Sequence, residues 1–335
     1  MKAVVRARYG TPDVLELKDV DRPVPVEDQV LVRVYGTSLN KADLYELHPP
    51  LFIRMLLGGG RLKPKEEKIG TDIAGRVEAV GPAVKSFKPG DEVFGGGRWS
   101  FAEYACARER SLALMSGQAK FEEAATLPIA ATTALQALRK AKAGPGQRIL
   151  IDGSSGGVGT FTLQIAKSLG AEVTAVCSAG NVASARSMGA DHVIDYTKED
   201  FTKSGQKYDL ILGVNGHHSI FGYRRALSEK GAYMMVGSSH PIGGLVQVAL
   251  FGKLVSKLGR KRIGFMGIAK ITTSDLEALM ALVTNGKVKP LIDRRYPLSE
   301  TAEAFRYFQK GHTHGKVVVA IGDESPSESE SARRL

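Results

Sequence analysis

Residues able to do chemistry concentrate at one corner, Gly153-Ser154-Ser155-Gly156-Gly157-Val158-Gly159, which follows the apolar run Arg148 to Asp152. A helical pattern begins near Val158 and closes at Gly170, and a second apolar run spans Val173 to Cys177. Strand, turn, helix and strand in about thirty residues make a βαβ unit. Gly156 and Gly157 remove side chains where backbone N–H groups must approach a pyrophosphate, and Gly159 lets the helix press onto the strand. The phosphates then rest on the positive end of the helix. Against the G-x-G-x-x-G fingerprint the corner reads Ser154-x-Gly156-x-x-Gly159, its first glycine displaced to Gly153. No Lys-Ser/Thr pair closes the turn, which argues against a P-loop. The competing reading, a glycine-rich turn that holds nothing, is disfavoured by the strand and helix standing where phosphate binding needs them.

The second strand bears on which dinucleotide fits. NAD sites usually place an acid about twenty residues past the glycines to bind the ribose 2′-hydroxyl. Val173 to Ala190 contains none. Ser178 and Asn181 can donate hydrogen bonds to a 2′-phosphate, and Arg186 is a nearby cation, so NADPH is favoured over NADH. Arg186 read as a solvated helix residue is the competing view.

Several elements must position this corner. Residues 1 to about 122 read as short strands (Lys2–Ala7, Val14–Leu17, Gln29–Tyr35, Gly75–Val80, Asp91–Gly95, Phe101–Ala107) punctuated by Pro and Gly, an all-β, barrel-like pattern. From Phe121 the pattern becomes helix, then strands alternating with helices, which is a doubly wound sheet. Helices over residues 274–288 and 299–311 flank the strand Leu291–Tyr296, and Lys316–Ile321 closes the ordered chain. The Ser- and Glu-rich tail, 323–335, lacks apolar content and is expected to be disordered.

Composition narrows the classes. The 335 residues carry a formal charge of +11, with 43% hydrophobic and 24% charged residues. That excess could serve nucleic acid, an acidic membrane surface or a polyanionic coenzyme. No aromatic platform is interleaved with the cations, which argues against specific nucleic-acid binding. Cys106 and Cys177 are the only cysteines; they support neither a disulfide framework nor structural zinc, and a reducing cytoplasm is expected. Charge enters too early for a signal peptide, and the uncharged stretch Pro241–Gly252 is too short to span a bilayer.

The order of parts, together with Asn40-x-x-Asp43-x-Tyr45, Gly70–Gly95, AEYA from Ala102, SSGGVG from Ser154, GADHVIDY from Gly189 and GKVVV from Gly315, resembles the medium-chain dehydrogenase/reductase superfamily. Within it the match is to the zinc-independent quinone oxidoreductase, or zeta-crystallin-like, branch. The resemblance implies an α/β plus all-β fold: a Rossmann doubly wound parallel sheet with a GroES-like, barrel-type catalytic domain. It implies a catalytic domain of 1–122 plus 270–322, an NAD(P)-binding domain of 123–269, and a homodimer. Zinc relatives carry a Cys before the first helix and Gly-His-Glu where this chain reads Gly70-Thr71-Asp72; here Ser38, Leu39, Asn40 and Thr71 offer no convergent zinc set. His217-His218 and His312-x-His314 lack a third partner nearby in sequence and read as exposed loop histidines.

Without a metal to polarise a carbonyl, a quinone or an α,β-unsaturated ketone is the suitable acceptor, because conjugation spreads the developing charge. The resemblance implies that Asn40 and Tyr45 face the nicotinamide end, Asn40 as an amide donor near the acceptor oxygen and Tyr45 as a positioning group or proton donor that touches the coenzyme. A helix-capping Asn40 and a core Tyr45 are the alternatives. It further implies coenzyme contacts from Thr133, Ser155, Gly156, Gly157, Val158, Tyr196, Asn215, Gly237, Ser238 and Phe265. Relatives often carry Lys or Arg at the positions of Gly180 or Asn181. Their absence leaves the 2′-phosphate to Ser178, Arg186 and Lys316, and leaves room for NADH as well.

Two basic apolar segments, from Leu51 and from Leu245, suggest a lipophilic acceptor or a peripheral membrane contact; a packed helix with a solvated basic end is the alternative. Two function classes follow: an NADPH-dependent reductase of quinones or enones, and an NADPH-binding protein with little turnover that acts through membrane or protein contacts.

Overall fold

The computed structural model describes residues 1–49, 64, 67–117, 119–237, 248 and 260–322. Alternating burial builds the first half. Strands β1 (Lys2–Arg6) and β2 (Leu15–Asp19) form an antiparallel pair, and β3 (Gln29–Ser38), β4 (Asp72–Val80), β5 (Glu92–Arg98) and β6 (Tyr104–Leu114) follow one another antiparallel. A further β3–β6 pairing closes these four into a ring, which removes two exposed edges. Strands β3 to β6 run longer than the sequence pattern suggests, because ladder pairing extends them, whereas β1 stops one residue short of it.

The end of the chain returns to this sheet. Strand β13 (Ile292–Pro297) pairs with β14 (Lys316–Ala320), and β14 lies antiparallel to β3 with Val318 opposite Ser38. Val317, Val318 and Val319 are fully buried; burying each contributes roughly 1.5–3 kcal/mol, which drives the return.

The second sheet is all parallel, in the order β12-β11-β10-β7-β8-β9. Its strands are β7 (Arg148–Asp152), β8 (Glu172–Cys177), β9 (His192–Asp195), β10 (Tyr208–Gly213), β11 (Leu227–Met235) and β12 (Arg262–Phe265). The order reverses between β7 and β10, so the crevice for a ligand lies at their carboxyl ends. In chain order the helices are α1 (Lys41–Leu47), α2 (Phe121–Ala124), α3 (Ala130–Ala141), α4 (Gly157–Ser168), α5 (Val182–Ser187), α6 (Ile220–Ala226), α7 (Thr273–Thr284) and α8 (Thr301–Gln309).

The single helix expected over residues 121–141 is divided into α2 and α3. Pro128 lies between them, where it can neither donate its N–H nor leave its predecessor in helical conformation. One apolar core runs from Tyr35, Ala74 and Phe94 of the antiparallel sheet through Phe121, Leu127, Ala131 and Leu138 to Ile149 and Val173 of the parallel one. The sheets are thus welded through α2 and α3. Among the described residues no helix is long and apolar enough to cross a membrane. The segment from Leu51 to Lys63, most of Leu245–Arg262, Ser238 and the tail 323–335 lie outside the described residues.

Candidate active site

The glycine corner leaves β7 and starts α4 with the geometry a phosphate needs. Gly153 has φ +95, a left-handed value, and a Cβ there would meet Asn215 Cβ at 2.7 Å. At Gly159 a Cβ would stand 2.2 Å from the Gly153 carbonyl oxygen, so the helix sits directly on the turn. Gly156 is the N-cap of α4, with no side chain capping it, and a Cβ there would meet nothing within 4 Å. The twelve-residue helix thus has no side-chain cap and its N-cap glycine borders open space, where a dinucleotide's diphosphate could reach the helix end. Ser155, Gly157 and Val158 are half-buried around it. The Gly315 N–H donates to the Ser155 carbonyl at 2.9 Å, which ties the end of the chain to the loop.

On the adenosine side Asn181 Nδ2 donates to Ser178 Oγ at 3.0 Å just past β8, and the Tyr196 N–H donates to the Cys177 carbonyl at 3.1 Å. Ser178, Asn181 and the half-exposed Tyr196 therefore share one rim of the carboxyl edge. Arg186 does not join them. Helix α5 runs back from that edge, and Arg186, in its last turn, lines a depression with Thr174, Asp191 and His192.

At the other end of the cleft the side chains of Ser38, Asn40, Asp72 and Lys316 form one buried network. Asp72, the first residue of β4, is fully buried and accepts four hydrogen bonds. Ser38 Oγ (2.6 Å), Asn40 Nδ2 (2.8 Å) and Lys316 Nζ (3.4 Å) reach Oδ2, while the Ile129 N–H (3.0 Å) reaches Oδ1. Lys316 is 2% exposed, and its ammonium also donates to Asn40 Oδ1 at 2.6 Å and to the Leu39 carbonyl at 2.8 Å.

Two expectations change here. Lys316 is not a 2′-phosphate ligand, because β14 draws its amine inward onto these acceptors. Asn40 is not a free amide donor: its oxygen faces the ammonium, and its two amide hydrogens go to Asp72 and, at 3.3 Å, to the Ser38 carbonyl. It also begins α1, where its N–H donates to Asp43 Oδ2 at 2.7 Å.

Two carboxylates and one ammonium in a dry pocket do not balance. Burial, then Glu46 and Asp72, hold the Asp43 carboxyl well above its usual range, and its Oδ1 has no partner. Burial pushes the Lys316 amine down against the attraction of Asp72 and Asp43.

The remaining candidates surround the crevice. Tyr45 lies on α1 with its ring 47% exposed, and burial raises its phenol. Lys41 Nζ donates to Asn215 Oδ1 at 3.1 Å, bridging α1 to the loop after β10. The Asn215 N–H donates to the Asp152 carbonyl and the Gly237 N–H to the Gly213 carbonyl, which fixes the loops after β10 and β11 at the edge. Thr133 is half-buried on α3, one turn past Ile129, and Phe265 ends β12 half-buried.

The histidines read as isolated loop residues acquire a partner. Among the described residues Asp152, His217 and His218 place one potential ligand atom each within 4.8 Å of one another. Sequence reasoning missed Asp72 and Asp152 as site residues; for Asp152 the signal was an acid that ends the apolar run Ile149–Ile151 just before the glycine corner.

Comparison with known proteins places the fold. A model of the alcohol dehydrogenase GroES-like domain matches residues 26–135, and one described as zinc-binding dehydrogenase matches residues 188–319. A 2-methylene-furan-3-one reductase of Solanum lycopersicum is 35% identical over 95% of this chain and 79% of its own length. The chain belongs to the zinc-independent quinone oxidoreductase branch of the medium-chain dehydrogenase/reductase superfamily. An NADPH-dependent alkenal/one oxidoreductase of Arabidopsis thaliana is 33% identical over the same shares. The solved quinone oxidoreductase from Coxiella burnetii superposes with a TM-score of 0.85 at 29% identity, covering 96% of this chain and 99% of that one. A quinone oxidoreductase fold of this branch accounts for both sheets and for the return of β13 and β14.

Proposed function

We propose that the protein is an NADPH-dependent, zinc-independent reductase of quinones or α,β-unsaturated carbonyl compounds. One observation carries this reading: a glycine corner without a side-chain cap, suited to a diphosphate, opens onto a cleft where the Lys316 ammonium sits against the buried Asp72 carboxylate. Lys316 donates to Asn40, the Leu39 carbonyl and Asp72, and neither Asn40 nor Thr71 is a residue type that usually binds zinc. The names of the relatives support both coenzyme and acceptor class.

When bound, NADPH supplies hydride from its nicotinamide ring. The chain's own residues supply position. The glycine corner holds the diphosphate, and Ser178 with Asn181 offers donors to the 2′-phosphate, with no neighbouring acid in residues 173–190 to repel it. Lys316 and Asp72 lock Asn40, and through Ile129 they orient α3, which carries Thr133 toward the cleft. Tyr45 presents a protonated, half-exposed phenol that can donate a hydrogen bond to an acceptor oxygen. A conjugated acceptor spreads the incoming charge, so the cleft needs no Lewis acid.

Two buried free thiols support a reducing, cytoplasmic setting. A homodimer, a lipophilic acceptor and a peripheral membrane contact through the basic segments complete the proposal. The test is a steady-state screen of NADPH and NADH against a panel of naphthoquinones and alkenones. Oxidation that depends on acceptor, with NADPH preferred, is expected. Tight NADPH binding without turnover on any acceptor would instead favour a binding protein of this fold.

A further inference from the structure

His217 and His218 lie in the turn between β10 and α6, and this turn carries them back against Asp152, the last residue of β7. Asp152 is 2% exposed. Its Oδ2 accepts the Tyr223 hydroxyl at 2.6 Å, while Oδ1 faces His217 Nδ1 at 3.9 Å, beyond hydrogen-bond reach. The imidazoles of His217 and His218 lie side by side, centroids 4.1 Å apart and planes tilted by 38°. Behind them, Asp200 Oδ1 stands 3.9 Å from His218 Nδ1 and is itself fixed by the Thr202 N–H and hydroxyl at 2.9 and 2.7 Å.

We propose that Asp152, His217 and His218 form a binding site for a divalent transition-metal ion at the carboxyl edge of the parallel sheet, separate from the acceptor cleft. The ligand set decides the ion class. Two imidazole nitrogens and one carboxylate oxygen suit zinc, cobalt, nickel or copper, whereas calcium and magnesium prefer all-oxygen shells.

The spacing suits one ion with a small closure. Bonds of about 2.0–2.2 Å keep two ligand atoms within roughly 4.2 Å of each other. The three atoms already lie within 4.8 Å, and the His217 side chain, 44% exposed, can rotate the remaining distance. Asp200 Oδ1 stands behind His218 Nδ1, so a small rotation would let it accept the Nδ1–H and leave Nε2 to the ion, the usual carboxylate–histidine–metal order.

Charge points the same way. Asp152 is buried, and the groups placed against its carboxylate are the Tyr223 hydroxyl and the two imidazoles. A cation on Oδ1 would supply the missing counter-charge. The exposed flank of His217 leaves a path for entry and a position for water. Cys106 and Cys177 are both buried, so neither thiol competes for the ion. The inference is independent of which coenzyme or acceptor the cleft takes.

The test uses chelator-treated, full-length protein dialysed against zinc or nickel, with bound metal measured by elemental analysis. His217→Asn/His218→Asn removes two ligands at a partly exposed turn; His192→Asn/His312→Asn, at other histidines, is the control. The wild type and the control are expected to retain about one equivalent per chain more than the His217/His218 variant. Metal should also raise the Tm of the first two and not of the third, because only a folded site binds. Equal metal on wild type and the His217/His218 variant, equal loss in both variants, or no saturable uptake by the wild type would each overturn the proposal.

Discussion

Asp72 and Asp152 are both buried, and both stand at a strand end, one in the antiparallel sheet and one in the parallel sheet. Asp72 accepts four donors, one of them the buried ammonium of Lys316. Asp152 has a phenol and two imidazoles near it, and these only partly oppose the rise that burial imposes on its carboxyl. The difference teaches where the fold places permanent charge. On the acceptor side a lysine from the last strand gives Asp72 a permanent counter-charge. On the coenzyme side the carboxylate is held by groups that can gain or lose charge, and the phosphate seat relies on backbone dipoles.

Breaking the ammonium should have the largest effect. Lys316→Met leaves Asp72 and Asp43 buried without a cation, and a loss of about 3–5 kcal/mol in chemical denaturation is expected, with acceptor reduction abolished. Asp72→Asn should cost less than that, because its amide can still accept from Ser38 or Ile129.

Adding charge on the coenzyme side comes next. Ser178→Asp places a carboxylate beside the 2′-phosphate position and should weaken NADPH binding by about tenfold, some 1.4 kcal/mol, while sparing NADH, as read by fluorescence titration. Arg186→Ala, at a residue facing Asp191 and His192, should leave that ratio unchanged.

Asp152→Asn sharpens the contrast. The Tyr223 hydroxyl keeps an acceptor and a buried charge is lost, so stability in the presence of chelator should move by less than about 1 kcal/mol.

A further effect concerns pH. Asp43 has a folded-state pKa above its unfolded value of 3.8, so its contribution to stability is full below about pH 4 and is lost as pH rises toward the raised value. Over that window the wild type should lose up to about 1.4 kcal/mol per pH unit relative to Asp43→Asn, measured by denaturation at each pH.

Much of this arrangement is legible in the sequence. The strand Arg148–Asp152, the corner and the start of α4 follow from local patterns, because the glycines and the apolar runs act within a few residues of one another. The resemblance carried the two-sheet architecture. What stayed hidden depends on distance along the chain. Lys316 meets Asn40 across 276 residues, and no local signal distinguishes an inward lysine from a phosphate ligand. Asn40 sits where expected, yet its amide is turned by that same lysine. Arg186 is five residues past Asn181, but α5 runs away from the edge and carries it out of reach. His217 and His218 lacked a partner in sequence because Asp152 approaches them through the packing of β7 beside β10.

The most direct test of metal-free reduction is NADPH oxidation by protein that elemental analysis shows to hold no zinc, assayed with an alkenone or a naphthoquinone. The account predicts acceptor-dependent oxidation at a rate that added zinc does not raise. Oxidation that appears only when zinc is restored, or that proceeds with simple aldehydes and not with conjugated acceptors, would contradict it.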